Sequence, residues 1–137
     1  MGRRNKSAKD SRKYFEWLEF ASEDLLAARI LKESESCSNA AAFHCQQCIE
    51  KALKAYLLLQ GFSSPDGHNL TWLCRKAVLY NEYFAEWRDE SAFLNRYYIE
   101  TRYPADIPLD VSQAMLNKIY HMANEMYDFI CREVYEE

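Results

Sequence analysis

The feature that most constrains the fold is the segment of residues 40–60, which is apolar around most of the circumference of a helix. No glycine or proline interrupts it. Its polar side chains form one narrow line, called here the polar stripe, which consists of Gln46, Gln47, Glu50, Lys51 and Lys54. A helix that is apolar on most of its sides is buried on several of them. The segment is therefore predicted to be the central helix of a bundle.

Four further segments repeat apolar residues at the spacing of three and four that is typical of helices. The first predicted helix covers about residues 11–35, and a short one follows residues 68–69. Another covers about residues 86–100, and the last begins near Asp110 or Ser112, which are both good N-caps. The predicted fold class is therefore all-α, an up-and-down bundle of four to five helices.

Local signals also predict where these helices begin and end. Ser38 or Asn39 is a plausible N-cap for the central helix, and Gly61 is its predicted C-terminal stop. Residues 101–108, TRYPADIP, are predicted to leave the helical conformation, because each of their two prolines disfavours helix in the residue before it.

Length and charge suggest one domain with a basic arm. A chain of 137 residues fits a single domain, assigned to residues 14–137. Residues 1–13 contain six basic residues and one acidic residue, whereas the remainder contains 11 basic and 20 acidic residues. The arm is interpreted as a flexible, solvated terminus, with contact to phosphate or to an acidic partner as the alternative.

The same composition predicts a cytoplasmic protein. No apolar run approaches the roughly 20 residues that a membrane span needs. The N-terminal sequence has charges without the apolar stretch of a secretory signal. The five cysteines are an odd number and fall mostly within helical patterns, which favours reduced thiols.

The three histidines are the first candidates for chemistry. His44 shares a helical face with alanines and Cys48, and it is interpreted as a buried histidine bonded to a neighbouring helix. The alternative is a base or a ligand-binding group in a polar cleft. His68 is interpreted as a residue that fixes the entry to the third helix, and His121 as a surface or interface residue.

No metal or cofactor is predicted. Cys45 and Cys48 lie beside His44, but zinc needs four ligands, and no second pair of cysteines or histidines occurs at close spacing. The two cysteines are therefore expected to be small apolar core residues. The sequence has no Walker loop and no dinucleotide-binding glycine pattern.

Three stretches, in this order, resemble the HEPN family. AAAFHCQQCIEKALKAYLLLQG at residues 40–61 is similar to the family's second helix, with its A-x-F-H-x-Q-Q-x-x-E-K-x-L-K core. GHNL at residues 67–70 resembles the opening of the family's third helix, and YYIETRYP at residues 97–104 resembles its tyrosine-rich turn. The likeness covers about residues 14–131. It implies a bundle of four to five helices, usually a homodimer, that is often paired with a minimal nucleotidyltransferase.

Family roles range from nucleotide binding to RNA cleavage in toxin–antitoxin and defence systems. RNA-cleaving members carry an arginine followed after four to six residues by a histidine, which supplies a phosphate-holding cation and a proton-transfer group. No arginine precedes any histidine of this chain at that spacing. The leading hypothesis is therefore a dimeric binding module for a nucleotide or for a nucleotidyltransferase. The alternatives are an RNA-cleaving enzyme with a displaced site, such as Arg102 with His44, and a purely structural interaction domain.

The predicted binding site is a polar cleft near the end of the fourth helix. Its candidate residues are Arg102, Tyr98, Asn95, Lys51, His44 and Gln47. Arg102 is expected either to grip a phosphate or to serve structurally, as a helix cap or as a partner of an acidic residue such as Glu50. For the polar stripe, plain solvation with an i, i+4 pair between Glu50 and Lys54 is favoured over a cleft wall in which Lys51 meets a phosphate.

Overall fold

The computed structural model describes residues 13–62, 65–98 and 111–136. This part of the chain contains helices and no strand, which confirms the all-α prediction. The α-helices are α1 (Tyr14–Leu31), α2 (Ser38–Leu59), α3 (Leu70–Tyr80), α4 (Arg88–Leu94) and α5 (Gln113–Tyr135). Short 3-10 helices occupy Glu35–Cys37, Glu82–Trp87 and Asn95–Tyr97. The basic arm and the TRYPADIP segment lie outside the described residues, apart from Lys13.

Helix α2 is the centre of the bundle. It packs against α1 and α5 and also contacts α3. Fourteen of its 22 residues are buried, including the large side chains of Ile49, Leu53, Tyr56 and Leu57. Its alanines at positions 41, 42, 52 and 55 are fully buried, and such small side chains let neighbouring helices approach. This confirms the prediction that α2 is the central helix. It is apolar on most of its sides because other helices surround it.

Helix α2 ends in a Schellman motif at Gly61. The Phe62 amide donates to the Leu57 carbonyl at 2.9 Å, and the Gly61 amide donates to the Leu58 carbonyl at 3.0 Å. Gly61 has a φ of +89°, a left-handed conformation that glycine adopts without steric cost. The predicted stop is therefore confirmed.

Other helix boundaries differ from the predictions. Cys37, not Ser38 or Asn39, precedes the first turn of α2, and it makes no side-chain capping bond. The Asn39 side chain instead accepts a hydrogen bond from the Val111 amide at 3.1 Å, so it connects α2 to the start of α5. Helix α1 ends at Leu31, because Ser34 is extended and residues 35–37 form a separate 3-10 helix.

The predicted fourth helix, residues 86–100, is much shorter in the structure. Helix α4 spans only Arg88–Leu94 between two 3-10 helices, and Tyr98 is already extended. The Asn95 side chain accepts a hydrogen bond from the Leu70 amide at 2.8 Å. This contact with the start of α3, rather than a continued helix, holds the segment that follows α4.

Helix α3 begins directly after residues 68–69, as predicted, and Ser112, one of the two predicted N-caps, caps α5. The Asn69 side chain accepts the Trp72 amide, and the Ser112 side chain accepts the Met115 amide, both at 3.1 Å. The buried face of α5 includes Leu116, Ile119, Met126 and Ile130. Among the described helices, none is both long and apolar enough to cross a membrane.

Candidate functional site

The polar stripe of α2 is largely buried, which corrects the interpretation of a solvated face. Gln46, Glu50 and Lys54 are all buried among the core helices. The Lys54 ammonium lies 3.1 Å from a Glu50 oxygen and also faces the ring of Trp17 on α1, 5.4 Å from its centre. A buried charge is stable only when it is paired and hydrogen-bonded. The stripe is therefore an internal polar network and not an ordinary surface pair.

Glu50 is the centre of this network, with its side chain only 4% exposed. His68 Nδ1 lies 3.1 and 3.2 Å from its two carboxylate oxygens. The side-chain amides of Gln46 and Gln47 each donate to Glu50 Oε1 at 3.3 Å. Together with Lys54, these contacts satisfy the carboxylate from several sides, which allows a charge to remain in the bundle interior.

His68 connects this buried carboxylate to the surface. Its side chain is 50% exposed, and its ring stacks on Tyr98 with centroids 4.3 Å apart and an interplanar angle of 13°. The contact with Glu50 favours a proton on Nδ1, so in the neutral ring Nε2 is the acceptor. His68 and Tyr98 therefore form a flat, partly exposed pair of rings, and the Glu50 carboxylate fixes the position of the His68 ring.

A second network joins α1 to α2 through Asp24, whose side chain is 10% exposed. His44 Nδ1 lies 2.7 Å from Asp24 Oδ1, and the Lys51 ammonium donates to Asp24 Oδ2 at 2.6 Å. The side chain of His44 is 32% exposed and that of Lys51 is 25% exposed. His44 is therefore bonded to a neighbouring helix, as interpreted from the sequence, but its side chain is partly exposed rather than buried.

The two networks lie side by side on α2. Gln47 is one turn from both His44 and Lys51 along the helix, while its amide binds the Glu50 network. The carboxylates of Asp24 and Glu50 balance the two lysines in charge. The two histidines are additional, so protonation of either ring makes the site positive and attractive to anions.

Comparison with known proteins agrees with this architecture. The model of the HEPN domain family matches residues 14–134. The chain belongs to the HEPN family. The crystal structure of an archaeal HEPN homologue superposes with a TM-score of 0.70 at 24% sequence identity, covering 88% of this chain and 97% of that one, and at this identity the likeness concerns the fold alone. A comparison with curated proteins gives no match.

The structure brings together only some of the residues that the sequence predicted for the binding site. His44, Gln47 and Lys51 lie together on α2, and Tyr98 joins the neighbouring network through its stack on His68. The Asn95 side-chain oxygen accepts the Leu70 amide, which connects the segment after α4 to the start of α3. Arg102 lies outside the described residues.

Sequence reasoning missed Asp24 and gave Glu50 and His68 too small a role. Asp24 had left a signal, since it interrupts the apolar stripe of α1 between Ala21 and Ala28, both fully buried. A carboxylate on a buried helical face requires a cationic or hydrogen-bonding partner. That partner is not identifiable from spacing, because it lies on another helix.

The cysteines next to the site are core residues, as expected. Cys45 and Cys48 are fully buried, and burial raises the pKa of the Cys45 thiol to about 12. Burial also raises the pKa of Cys48 well above its usual value. Both thiols are therefore protonated at neutral pH. No cluster of potential metal ligands occurs within the described ranges.

Proposed function

We propose that this HEPN protein is a binding module that holds a nucleotide-type anion at the polar stripe and the adjoining pair of rings. The observation that carries the proposal is the stack of His68 on Tyr98, fixed by the buried carboxylate of Glu50. Such a platform suits a nucleobase, since aromatic rings stack on bases with little dependence on sequence. A rigid, partly exposed ring also loses little conformational freedom when a ligand binds.

The charges around this platform support a phosphate-bearing ligand. Lys51 is partly exposed and follows Glu50 in the chain, but its ammonium is bonded to the Asp24 carboxylate, so the two charges neutralise each other. His44 and His68 are both partly exposed, and a protonated imidazole ring forms a charge-assisted contact with an anion. Arg102, four residues beyond Tyr98 in the sequence, is a further candidate phosphate ligand.

Substituting His68 with alanine tests this function. His68→Ala is expected to weaken the binding of ATP and AMP by about tenfold, because it removes one face of the stack, and base stacking contributes about 1–3 kcal/mol. Isothermal titration calorimetry on wild type and variant gives the comparison. His121→Ala is the matched control, since this histidine is 76% exposed on α5, where its ring lies 3.8 Å from the Glu125 carboxylate.

The fold should survive His68→Ala, because Glu50 keeps its contact with Lys54. Equal affinities in wild type and His68→Ala, or no nucleotide binding by the wild type, would refute the proposal. A loss of binding in His121→Ala of the same size would show that the effect is not specific to the stack.

A second function, RNA cleavage, is favoured by one observation. Both partly exposed histidines present Nδ1 to a carboxylate, Asp24 for His44 and Glu50 for His68. A carboxylate that orients an imidazole in this way is a common arrangement for general acid–base catalysis. However, each lysine of the networks is bonded to the same carboxylate as the histidine, so it is not free to hold a phosphate.

Purified protein is accordingly expected to show little RNase activity in the presence of a metal chelator. Incubation with mixed single-stranded RNA, followed by gel analysis, checks this. Strong cleavage that is lost in His44→Ala or His68→Ala but kept in His121→Ala would make the chain an RNA-cleaving enzyme and replace the binding proposal.

We further propose that the module is a homodimer that partners a nucleotidyltransferase in a toxin–antitoxin or defence system. The support for the dimer is an apolar line on α1, where Phe15, Leu26 and Ile30 share one exposed face and the Phe15 ring contacts the Tyr135 ring of α5. Exposed apolar side chains grouped in this way are typical of interfaces.

Replacing Leu26 and Ile30 together by glutamate is expected to convert the dimer to a monomer. Light scattering after size exclusion measures the mass, with Leu79→Glu, an exposed substitution on α3, as the control. A wild-type monomer, or a dimer unaffected by the double substitution, would contradict this interface.

A further inference from the structure

We propose a second site, separate from the polar stripe, that binds a phosphate group in the pocket between α3 and the start of α4. The pocket has a volume of about 380 Å³ and is lined by Thr71, Arg75 and Arg88. That volume falls within the range of about 300–1,000 Å³ that is typical of small-molecule pockets. Among the residues that the structure describes, two of the three that line the pocket are arginines.

The two arginines converge from different elements. Thr71 and Arg75 are one turn apart on α3, so they lie on the same side of that helix. Arg88 is the first residue of α4, which packs against α3. Asp89 and Glu90 follow Arg88 directly, but residues one and two positions apart on a helix do not face each other.

Neither guanidinium lies within 4.0 Å of a carboxylate oxygen in the described part of the chain. Arg75 and Arg88 form no ion pair there, whereas Arg132 lies 3.9 Å from Asp128 on α5. Two like charges that face one cavity repel each other, and an anion between them removes the repulsion. The pocket is therefore complementary to an anion in charge as well as in size.

The chemistry of the lining favours phosphate. A guanidinium presents a planar fork of N–H donors that matches two phosphate oxygens at once. The Thr71 hydroxyl adds a donor, and its place in the first turn of α3 puts the positive end of the helix dipole nearby. The phosphate could come from a free nucleotide or from an RNA backbone, and these two sources share the same contacts.

The double variant R75Q/R88Q tests the site in the full-length chain. Binding of three probes is measured: inorganic pyrophosphate, ATP and a fluorescein-labelled single-stranded oligoribonucleotide. The control is R29Q/R132Q, which removes the same charge from two exposed arginines on α1 and α5. Thermal melting of each variant checks that the fold is intact, which is expected because all four side chains are exposed.

R75Q/R88Q is expected to weaken pyrophosphate binding about tenfold or more, while R29Q/R132Q stays within about twofold of wild type. Loss of oligoribonucleotide binding alone, with a reduced salt dependence, would also support the site and assign it to RNA backbone phosphate. Unchanged binding of every probe in R75Q/R88Q, or equal losses in both double variants, would overturn it.

Failure of this inference is distinguishable from failure of the proposed function. The pyrophosphate probe has no base, so its binding should be retained in His68→Ala if the arginine pocket holds it. Weakening of ATP binding by His68→Ala, with the binding of every probe unchanged in R75Q/R88Q, refutes the pocket alone. The reverse pattern refutes the polar stripe alone.

Discussion

Glu50→Gln is expected to lower the free energy of unfolding by about 3–5 kcal/mol, the range for removing one partner of a buried ion pair. The side chains of Glu50 and Lys54 are only 4% and 9% exposed, so solvent cannot replace the lost carboxylate. The amide keeps the shape but not the charge, which leaves the Lys54 ammonium buried without a counter-ion. Urea denaturation followed by circular dichroism measures the loss.

The control for this substitution is Asp128→Asn, which removes a carboxylate from an exposed i, i+4 pair with Arg132 on α5. Its expected effect is within about 0.5 kcal/mol. The double variant E50Q/K54M should recover much of the stability, because no charge is then stranded. A loss below about 1 kcal/mol in Glu50→Gln would mean that the network is hydrated and that its burial has no energetic consequence.

Ile49→Ala and Leu53→Ala are each expected to destabilise the protein by about 2–4 kcal/mol. Both side chains are fully buried on α2, which has neighbours in α1, α3 and α5. With packed helices around it, the vacated space cannot collapse completely, so a cavity cost adds to the lost burial of the methyl and methylene groups.

The same denaturation experiment provides the test, with Leu79→Ala as the control for a large-to-small change at a site that is 75% exposed. Effects under half a kcal/mol for both core variants would show that α2 is not the centre of the bundle. Losses equal to that of Leu79→Ala would lead to the same conclusion.

Short-range sequence signals located most of the helices. The N-cap of α5 and the glycine stop of α2 depend on residues within one turn of the boundary, which explains why Ser112 and Gly61 were readable. The boundaries that were predicted wrongly, the start of α2 and the extent of α4, have a common cause. Asn39 and Asn95 bind backbone amides of distant segments, so their side chains serve tertiary contacts rather than their own helices.

The sequence by itself determined the fold class, the family and the central position of α2, because these depend on periodic burial and on motifs in register. Only the tertiary structure decided the chemistry of the polar stripe. Its partners are separated by 20 residues for Asp24 and His44, 27 for Asp24 and Lys51, and 18 for Glu50 and His68. Spacing along one helix separates polar from apolar sides, but it cannot tell a solvated charge from one that a neighbouring helix covers and neutralises.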